Sequence, residues 1–155
     1  MIIELKFPFP PLSQNNIERT GSRTNLRYKT KEALEYKNEM QCVLIKNRDR
    51  IKSLIDSFCP DDHGIDIEFW WHIDEKLCLT KRKNKASTRR LSKRGGDYDN
   101  YIKYTQDVFF DYMNVNDFFI ISARQFKVPV KGKSFFTIKI MIEPLALNPY
   151  YREFI

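Results

Sequence analysis

The chain has 155 residues, and its 42% hydrophobic and 14% aromatic content is typical of a folded protein and argues against intrinsic disorder. No apolar run approaches the roughly 20 residues that a membrane-spanning helix needs. The three cysteines, Cys42, Cys59 and Cys78, form no close pair, which predicts a reducing, cytoplasmic setting rather than a disulfide scaffold. We therefore expect a single domain over residues 1–155.

The net charge of +7 comes from one segment of the chain. Lys76 and the run from Lys81 to Arg94 supply nine basic residues without an acid, and the rest of the chain carries 18 basic and 20 acidic residues. Such a concentrated segment is typical of proteins that bind a polyanion. Nucleic acid is favoured over a membrane surface because no amphipathic apolar face accompanies the run. A solvated loop without a partner is the alternative.

In chain order, the N-terminal half predicts a strand, a helix and a turn. Residues 2–7 alternate apolar and polar side chains, which predicts a strand that ends before Pro10 and Pro11. Apolar side chains at helical spacing then predict one helix from Thr30, as its N-cap, to about Phe58. Its inward positions are Tyr36, Met40, Val43, Leu44, Ile51, Leu54, Ile55 and Phe58. The following CPDDHG sequence predicts a turn.

Residues 65–73 give the clearest strand pattern in the chain. One face carries Ile65, Ile67, Phe69, Trp71 and Ile73, and the other carries Asp66, Glu68, Trp70 and His72. This strict alternation is typical of a strand with one face on the core. We expect Trp71 in the core, whereas Trp70 is a candidate for stacking on a nucleic-acid base or for packing on a partner chain.

The C-terminal half predicts one more helix and two strands. The basic segment is expected to form a loop inserted at about residues 76–96, and a helix is expected over Asn100–Met113, capped by Asp99 or by Asn100 itself. Strands follow at 117–128 and 134–143, joined by a turn at Lys131–Lys133. The order β-α-β-α-β-β predicts an α/β fold with a small mixed sheet and two main helices.

Two carboxylates, Asp97 and Asp99, directly follow the basic run, and Lys103 lies one helical turn after Asp99. Like charges this close favour a cation between them, and Mg²⁺ prefers carboxylate and water oxygens. A metal there would polarise a phosphoryl oxygen and activate water, while Lys103 would offset charge on the phosphorus. These residues are compatible with metal-dependent phosphodiester cleavage. Taken alone, however, they slightly favour ordinary helix capping with an i,i+4 ion pair.

The segment Asp97–Lys127 resembles the RusA family of Holliday-junction resolvases. The family signature D-x-D-N-x-x-K-x-x-x-D is matched by Asp97, Asp99, Asn100, Lys103 and Asp107. Asn116-Asp117 stands where the family has a D-D pair leading into a strand. The family's early P-P-S-N-N-like loop is matched, with inserted residues, by Pro10, Pro11, Ser13, Asn15 and Asn16. The resemblance thus covers nearly the whole chain.

This resemblance implies roles for the matched positions. Asp97, Asp99 and Asp117 correspond to the Mg²⁺-binding carboxylates, Lys103 to the catalytic lysine, and Asn100 to its helper near the phosphate. Mn²⁺ is expected to substitute for Mg²⁺, and no organic cofactor is expected. The resemblance further implies an intertwined homodimer that nicks two strands of a four-way DNA junction, because two-fold symmetry sets two equivalent sites on two equivalent strands. A bacterial nucleoid or a phage or prophage is the expected setting.

DNA is expected to contact the basic segment and the early loop, with strongly salt-dependent binding. The expected DNA-binding residues are Lys81, Arg82, Lys83, Lys85, Arg89, Arg90, Lys93, Arg94, Asn15 and Asn16. Two other functions remain open at this point. A non-catalytic protein that binds branched DNA would use the acids only as helix caps, and a metal-dependent nuclease for flaps would share the same site chemistry.

Overall fold

The computed structural model describes residues 1–13, 16–20, 27–82, 85–91 and 101–151 of the chain. The strands are β1 (Ile2–Phe7), β2 (Glu18–Thr20), β3 (Arg27–Lys29), β4 (His63–Asp74), β5 (Leu79–Arg82), β6 (Lys85–Leu91), β7 (Ile120–Val130) and β8 (Phe135–Pro144). The helices are α1 (Lys31–Lys46), α2 (Arg48–Asp56), α3 (Glu75–Cys78) and α4 (Ile102–Met113), with short 3-10 helices at Asp117–Phe119 and Leu145–Leu147. Across these ranges, no helix has both the length and the apolar character needed to cross a membrane.

Four of the strands form a mixed sheet in the order β1-β8-β4-β7. Strand β8 is antiparallel to β1 and to β4, whereas β7 is parallel to β4. The predicted small mixed sheet is therefore confirmed. The described part of the chain adds elements that the predicted order lacks, among them the two-stranded ribbons β2–β3 and β5–β6 and the short helix α3.

One face of the sheet and the helices α1, α2 and α4 enclose a single cluster of buried side chains. The apolar face predicted for β4 is fully buried, with Trp71 at 0% exposure, which confirms its place in the core. The Trp71 ring lies 5.5 Å from the ring of Phe136 on β8, and Phe136 stacks on Phe7 of β1 at 4.5 Å. The alternation of β1 is confirmed in the same way, because its residues are alternately exposed and buried.

The single helix predicted from Thr30 to Phe58 is wrong, because the chain forms two helices. Thr30 caps α1 as predicted, since the Ala33 amide donates to the Thr30 hydroxyl at 3.1 Å. The helix is interrupted at Asn47, where φ is −109° and ψ is 14°. The Asn47 side chain donates to the carbonyl of Val43 at 2.9 Å. An asparagine side chain competes with the backbone for hydrogen bonds and can interrupt a helix. The apolar side chains keep their helical spacing across the interruption, so their pattern does not reveal it.

The loop predicted for the basic segment is also corrected in part. Strands β5 and β6 form an antiparallel ribbon in which Lys81 is paired with Arg89. The sequence of this ribbon carries charged residues without apolar alternation, which is the pattern of a loop rather than of a strand. Helix α4 begins at Ile102 rather than at residue 100, and Tyr101 at its N-cap position makes no side-chain capping bond. The predicted caps, residues 99 and 100, lie outside the described ranges.

The outer face of β4 differs from a solvated polar face. Asp66 and Glu68 are only 5% and 6% exposed. Arg124 of β7 covers them, with its Nη2 atom 2.7 Å from Asp66 Oδ2 and 2.9 Å from Glu68 Oε1. The Trp70 indole donates to Glu68 Oε2 at 3.0 Å, and its ring stacks on Phe126 at 4.2 Å. Trp70 is therefore held against its own sheet.

The connection between β7 and β8 passes the end of β4, which lies between them in the sheet. The predicted turn at Lys131–Lys133 is confirmed, and Gly132 adopts a φ of +99° that favours glycine. The Asp74 amide at the end of β4 donates to the Ser134 hydroxyl at 2.8 Å. This bond ties the turn to the strand it crosses.

Candidate active site

Helix α4 presents three charged side chains toward solvent. Lys103, Asp107 and Asp111 are spaced by four residues, and all three are exposed. This spacing places successive side chains about 40° apart around the helix and one turn along it. The buried side of the same helix carries Tyr104, Thr105, Val108, Phe109, Phe110 and Met113. The apolar side fixes the helix on the core and thereby fixes the charged side in place.

The chain returns to this charged side directly after α4. Asn114 ends the helix in the left-handed region, with φ of 52°, and reverses the chain direction. The Asn116 side chain accepts a hydrogen bond from the Phe118 amide at 2.9 Å and caps the 3-10 helix at Asp117–Phe119. Gln106 Nε2 of α4 then donates to Asp117 Oδ2 at 3.3 Å. Asp117 is thus held beside α4, and Asn116 acts as a capping residue.

An acidic cavity of about 580 Å³ lies between the helix and the returning chain. It is lined by Asp107, Phe110, Asp111, Asn114, Val115, Asn116 and Asp117. These residues provide three carboxylates and no cation. Carboxylate and amide oxygens are the ligands that hard divalent cations prefer, so the chemistry of the lining fits Mg²⁺.

The pKa of Asp107 reports how these charges interact. Although the Asp107 side chain is exposed, partial desolvation of its carboxyl group is the largest cause that raises its pKa above the ordinary value, and the charges of Asp111 and Asp117 raise it further. The charges of Lys103 and Lys29 act in the opposite direction and lower it. Ionisation of Asp107 is therefore disfavoured in the folded chain, and a cation in the acidic cavity would relieve this penalty.

A smaller, basic cavity of about 260 Å³ adjoins the same helix. It is lined by Ile17, Glu18, Arg27, Lys29, Lys103, Tyr104 and Asp107. Lys29 Nζ lies 2.8 Å from Glu18 Oε1 and 5.0 Å above the Tyr104 ring. Asp107 lines both cavities, so a carboxylate-rich space and a cation-rich space meet at this residue. That arrangement suits a metal ion on one side and a phosphate group on the other.

Buried hydroxyl groups hold α4 in position against α1. Tyr36 and Thr105 are joined by a hydrogen bond of 2.7 Å between their hydroxyl oxygens, and Thr105 donates to the Tyr101 carbonyl at 2.9 Å. Tyr104 donates to the Ala33 carbonyl at 3.1 Å. Burial raises the pKa of both tyrosines, so these hydroxyls keep their protons across the physiological range. The helix that carries Lys103 is therefore fixed by polar contacts as well as by packing.

The structure brings together only part of the predicted site. Lys103 lines the basic cavity, and Asp117 lines the acidic cavity. The remaining predicted site positions outside the described ranges are Asp97, Asp99, Asn100, Asn15, Lys83, Lys93 and Arg94. Asn16 is exposed beside Ile17, and Lys81, Arg82, Lys85, Arg89 and Arg90 lie on the β5–β6 ribbon. Among the described residues, no three His, Cys, Asp or Glu side chains lie close enough to hold a metal ion.

Several residues at the site have no assigned role in the sequence pattern. Asp111 continues the four-residue spacing of Lys103 and Asp107, so a helical projection of the segment would have revealed it. Arg27 and Lys29 reach the site because β3 lies next to α4, and the linear sequence carries no signal for this proximity. Long-range placement of this kind depends on the folded chain.

Comparison with known proteins adds an independent observation. The family model described as endodeoxyribonuclease RusA matches residues 8–143, which include the early loop, the basic segment, α4 and Asp117. No curated protein matches the chain. The matched range contains every residue that lines the two cavities.

Proposed function

Because the chain belongs to the RusA family of endodeoxyribonucleases, we propose that it is a Mg²⁺-dependent, structure-selective nuclease that resolves four-way DNA junctions. The observation that carries this proposal is the meeting of an acidic and a basic cavity at Asp107. Phosphodiester cleavage requires a cation near the scissile phosphate and positive charge on the phosphate oxygens. The two cavities supply an environment for each requirement.

Asp97, Asp99 and Asp117 are the residues that we assign to Mg²⁺, with Mn²⁺ as its substitute. Of the described carboxylates, those of Asp107, Asp111 and Asp117 line the acidic cavity and make it attractive to a divalent cation. With the ion bound, the site gains a Lewis acid that polarises a phosphoryl oxygen and lowers the pKa of a water molecule.

Lys103 is the residue that we assign to charge stabilisation. It lines the basic cavity next to Asp107, so its ammonium is available to a phosphate held between the two cavities. Asn100 precedes it by three residues in the sequence and is assigned to orient the same phosphate. Arg27 and Lys29 add positive charge to the same cavity, where the DNA backbone would continue.

Paired cleavage of a four-way junction further requires two sites, and we propose a homodimer for this reason. The β5–β6 ribbon and Asn15 and Asn16 would contact the DNA arms. A two-stranded ribbon with basic residues has the dimensions to follow a DNA groove. We place this activity in a bacterial cell, at its nucleoid, or in a phage.

Matched lysine variants test the role of the site. Lys103→Gln is expected to slow junction cleavage in Mg²⁺ by at least about a hundredfold, because positive charge at the reacting phosphate is lost. Lys46→Gln is the control, since Lys46 is exposed in the last turn of α1. Junction binding, measured in parallel, should change by less than tenfold in both variants. Equal cleavage rates for the two variants would remove Lys103 from the mechanism.

The same assay separates this proposal from a DNA-binding protein without catalysis. A binder would hold the junction equally well with and without Mg²⁺ and would leave it uncut. A nuclease selective for flaps would cut a flap substrate faster than the junction. Cleavage of the junction above both flap and linear duplex supports the proposed substrate.

A further inference from the structure

We propose that Phe118 stacks on an exposed base of branched DNA at the rim of the acidic cavity. This inference deepens the proposed nuclease function and rests on it. Phe118 directly follows Asp117, one of the carboxylates that line the cavity. At 82% exposure it is the most exposed large apolar side chain in the part of the chain that the structure describes.

The exposed ring of Phe118 is held firmly at its base. Its amide donates to Asn116 Oδ1 at 2.9 Å, within the capped 3-10 helix. Its ring meets the edge of Phe119 at 5.6 Å with an interplanar angle of 80°, and Phe119 meets Phe58 at 5.3 Å. Phe119 and Phe58 pack against the core. The ring is therefore presented to solvent on a fixed support rather than on a free loop.

A nucleic-acid base suits the surroundings of Phe118 better than a phosphate does. The neighbouring cavity carries the carboxylates of Asp107, Asp111 and Asp117, which repel a phosphate that approaches without a cation. A base is uncharged, and every base offers a flat face to an aromatic ring. Stacking of this kind tolerates any sequence and favours bases that are already partly unstacked, as at a branch point.

A second copy of the chain is the alternative occupant of this surface, and the sedimentation readout below tests it. Under the proposed function, a cation held in the acidic cavity brings a DNA phosphate next to Asp117, the neighbour of Phe118. DNA is therefore the occupant that we infer.

Three variants test the inference: Phe118→Ala, Phe118→Trp and Leu77→Ala. Leu77 is the matched control, because it is a 46% exposed apolar residue outside the acidic cavity. It lies on α3, which directly follows the C-terminal end of β4. The first readout is affinity for a four-way junction in Ca²⁺, under conditions in which a gel shows the junction uncut. The second readout is the emission of 2-aminopurine placed at the branch point, which reports unstacking of that base from its neighbours. The third readout is the sedimentation behaviour of each variant.

Phe118→Ala is expected to raise the Kd for the junction about tenfold and to abolish most of the emission change, because one aromatic stack is lost. Phe118→Trp should stay within about twofold of the parent chain, since an aromatic face is restored. Leu77→Ala should also stay within about twofold. The Tm of Phe118→Ala should be unchanged, because the side chain is exposed.

Parent-like affinity and emission for Phe118→Ala would overturn the stacking role while leaving the nuclease proposal intact. A loss of self-association in Phe118→Ala would overturn it in favour of a dimer contact. Failure of the parent chain to bind or cut the junction would instead overturn the proposed function, and the stacking role with it.

Discussion

The adjacent residues Trp70 and Trp71 offer a direct test of how β4 is packed. Trp71 is fully buried, lies within 5.6 Å of the rings of Phe69, Tyr101 and Phe136, and donates to Gln125 Oε1 at 3.0 Å. Large-to-alanine changes at such sites cost about 3–5 kcal/mol, and the stranded Gln125 oxygen adds to that cost. We therefore expect Trp71→Ala to lower the free energy of unfolding by about 4 kcal/mol.

Trp70→Ala is the matched comparison, because Trp70 is half-buried on the outer face of the same strand. It loses its stack on Phe126 and its hydrogen bond to Glu68, whereas Glu68 keeps Arg124 at 2.9 Å. The expected loss is about 1–2 kcal/mol.

Urea unfolding followed by circular dichroism measures both losses. A chain of this size has a total stability of about 5–15 kcal/mol, so the two variants should be well separated. Equal losses, or a loss below about 2 kcal/mol for Trp71→Ala, would refute the packing described for β4. Trp71→Ala should also weaken the start of α4, because the Trp71 ring contacts Tyr101 there.

Three further predictions concern charge, packing and DNA contact. The pKa of Asp107 is raised above its ordinary value of 3.8, so the folded chain favours the protonated carboxyl group. The stability that this preference contributes is present below that pH and is lost as the pH rises through the folded pKa. Asp107→Asn should therefore raise the Tm at pH 7 and leave it nearly unchanged at pH 3, and a lower Tm at pH 7 would contradict the charge crowding. A Cβ atom at Gly64 would lie 2.5 Å from the Ile121 side chain, so Gly64→Ala should cost about 1–3 kcal/mol in the same urea assay. An unchanged stability would show that the Ile121 side chain moves aside freely. Neutralising Lys81, Arg82 and Lys83 together should weaken junction binding and reduce the dependence of log Kd on log salt by up to about three units, and an unchanged salt slope would exclude the basic segment from the DNA contact.

Alternating and helical patterns predicted the core-facing side of most elements, because burial of apolar surface dominates their placement. The inward faces of β1 and β4 and the N-cap at Thr30 follow directly from local sequence. The break at Asn47 does not, since it depends on a side chain that competes with one backbone hydrogen bond. Burial of Asp66 and Glu68 is equally hidden, because Arg124 reaches them from a strand more than 50 residues away in sequence.

The residues of the candidate site also fall into two groups, those that local sequence predicts and those that depend on long-range packing. Lys103 and Asp117 were predicted from the motif, and α4 and the turn after it place them beside adjoining cavities. Arg27 and Lys29 enter through the packing of a short ribbon against α4, which no local pattern specifies. Their positive charge gives the second cavity its basic character beside the acidic one.

The most direct test of the central claim is cleavage of a labelled four-way DNA junction by the purified chain in Mg²⁺, beside Asp99→Asn and a linear duplex. We predict paired nicks across the junction that disappear in the variant and are absent on the duplex. Tight junction binding with no cleavage in Mg²⁺ or Mn²⁺ would contradict the claim and would identify a protein that holds branched DNA without cutting it.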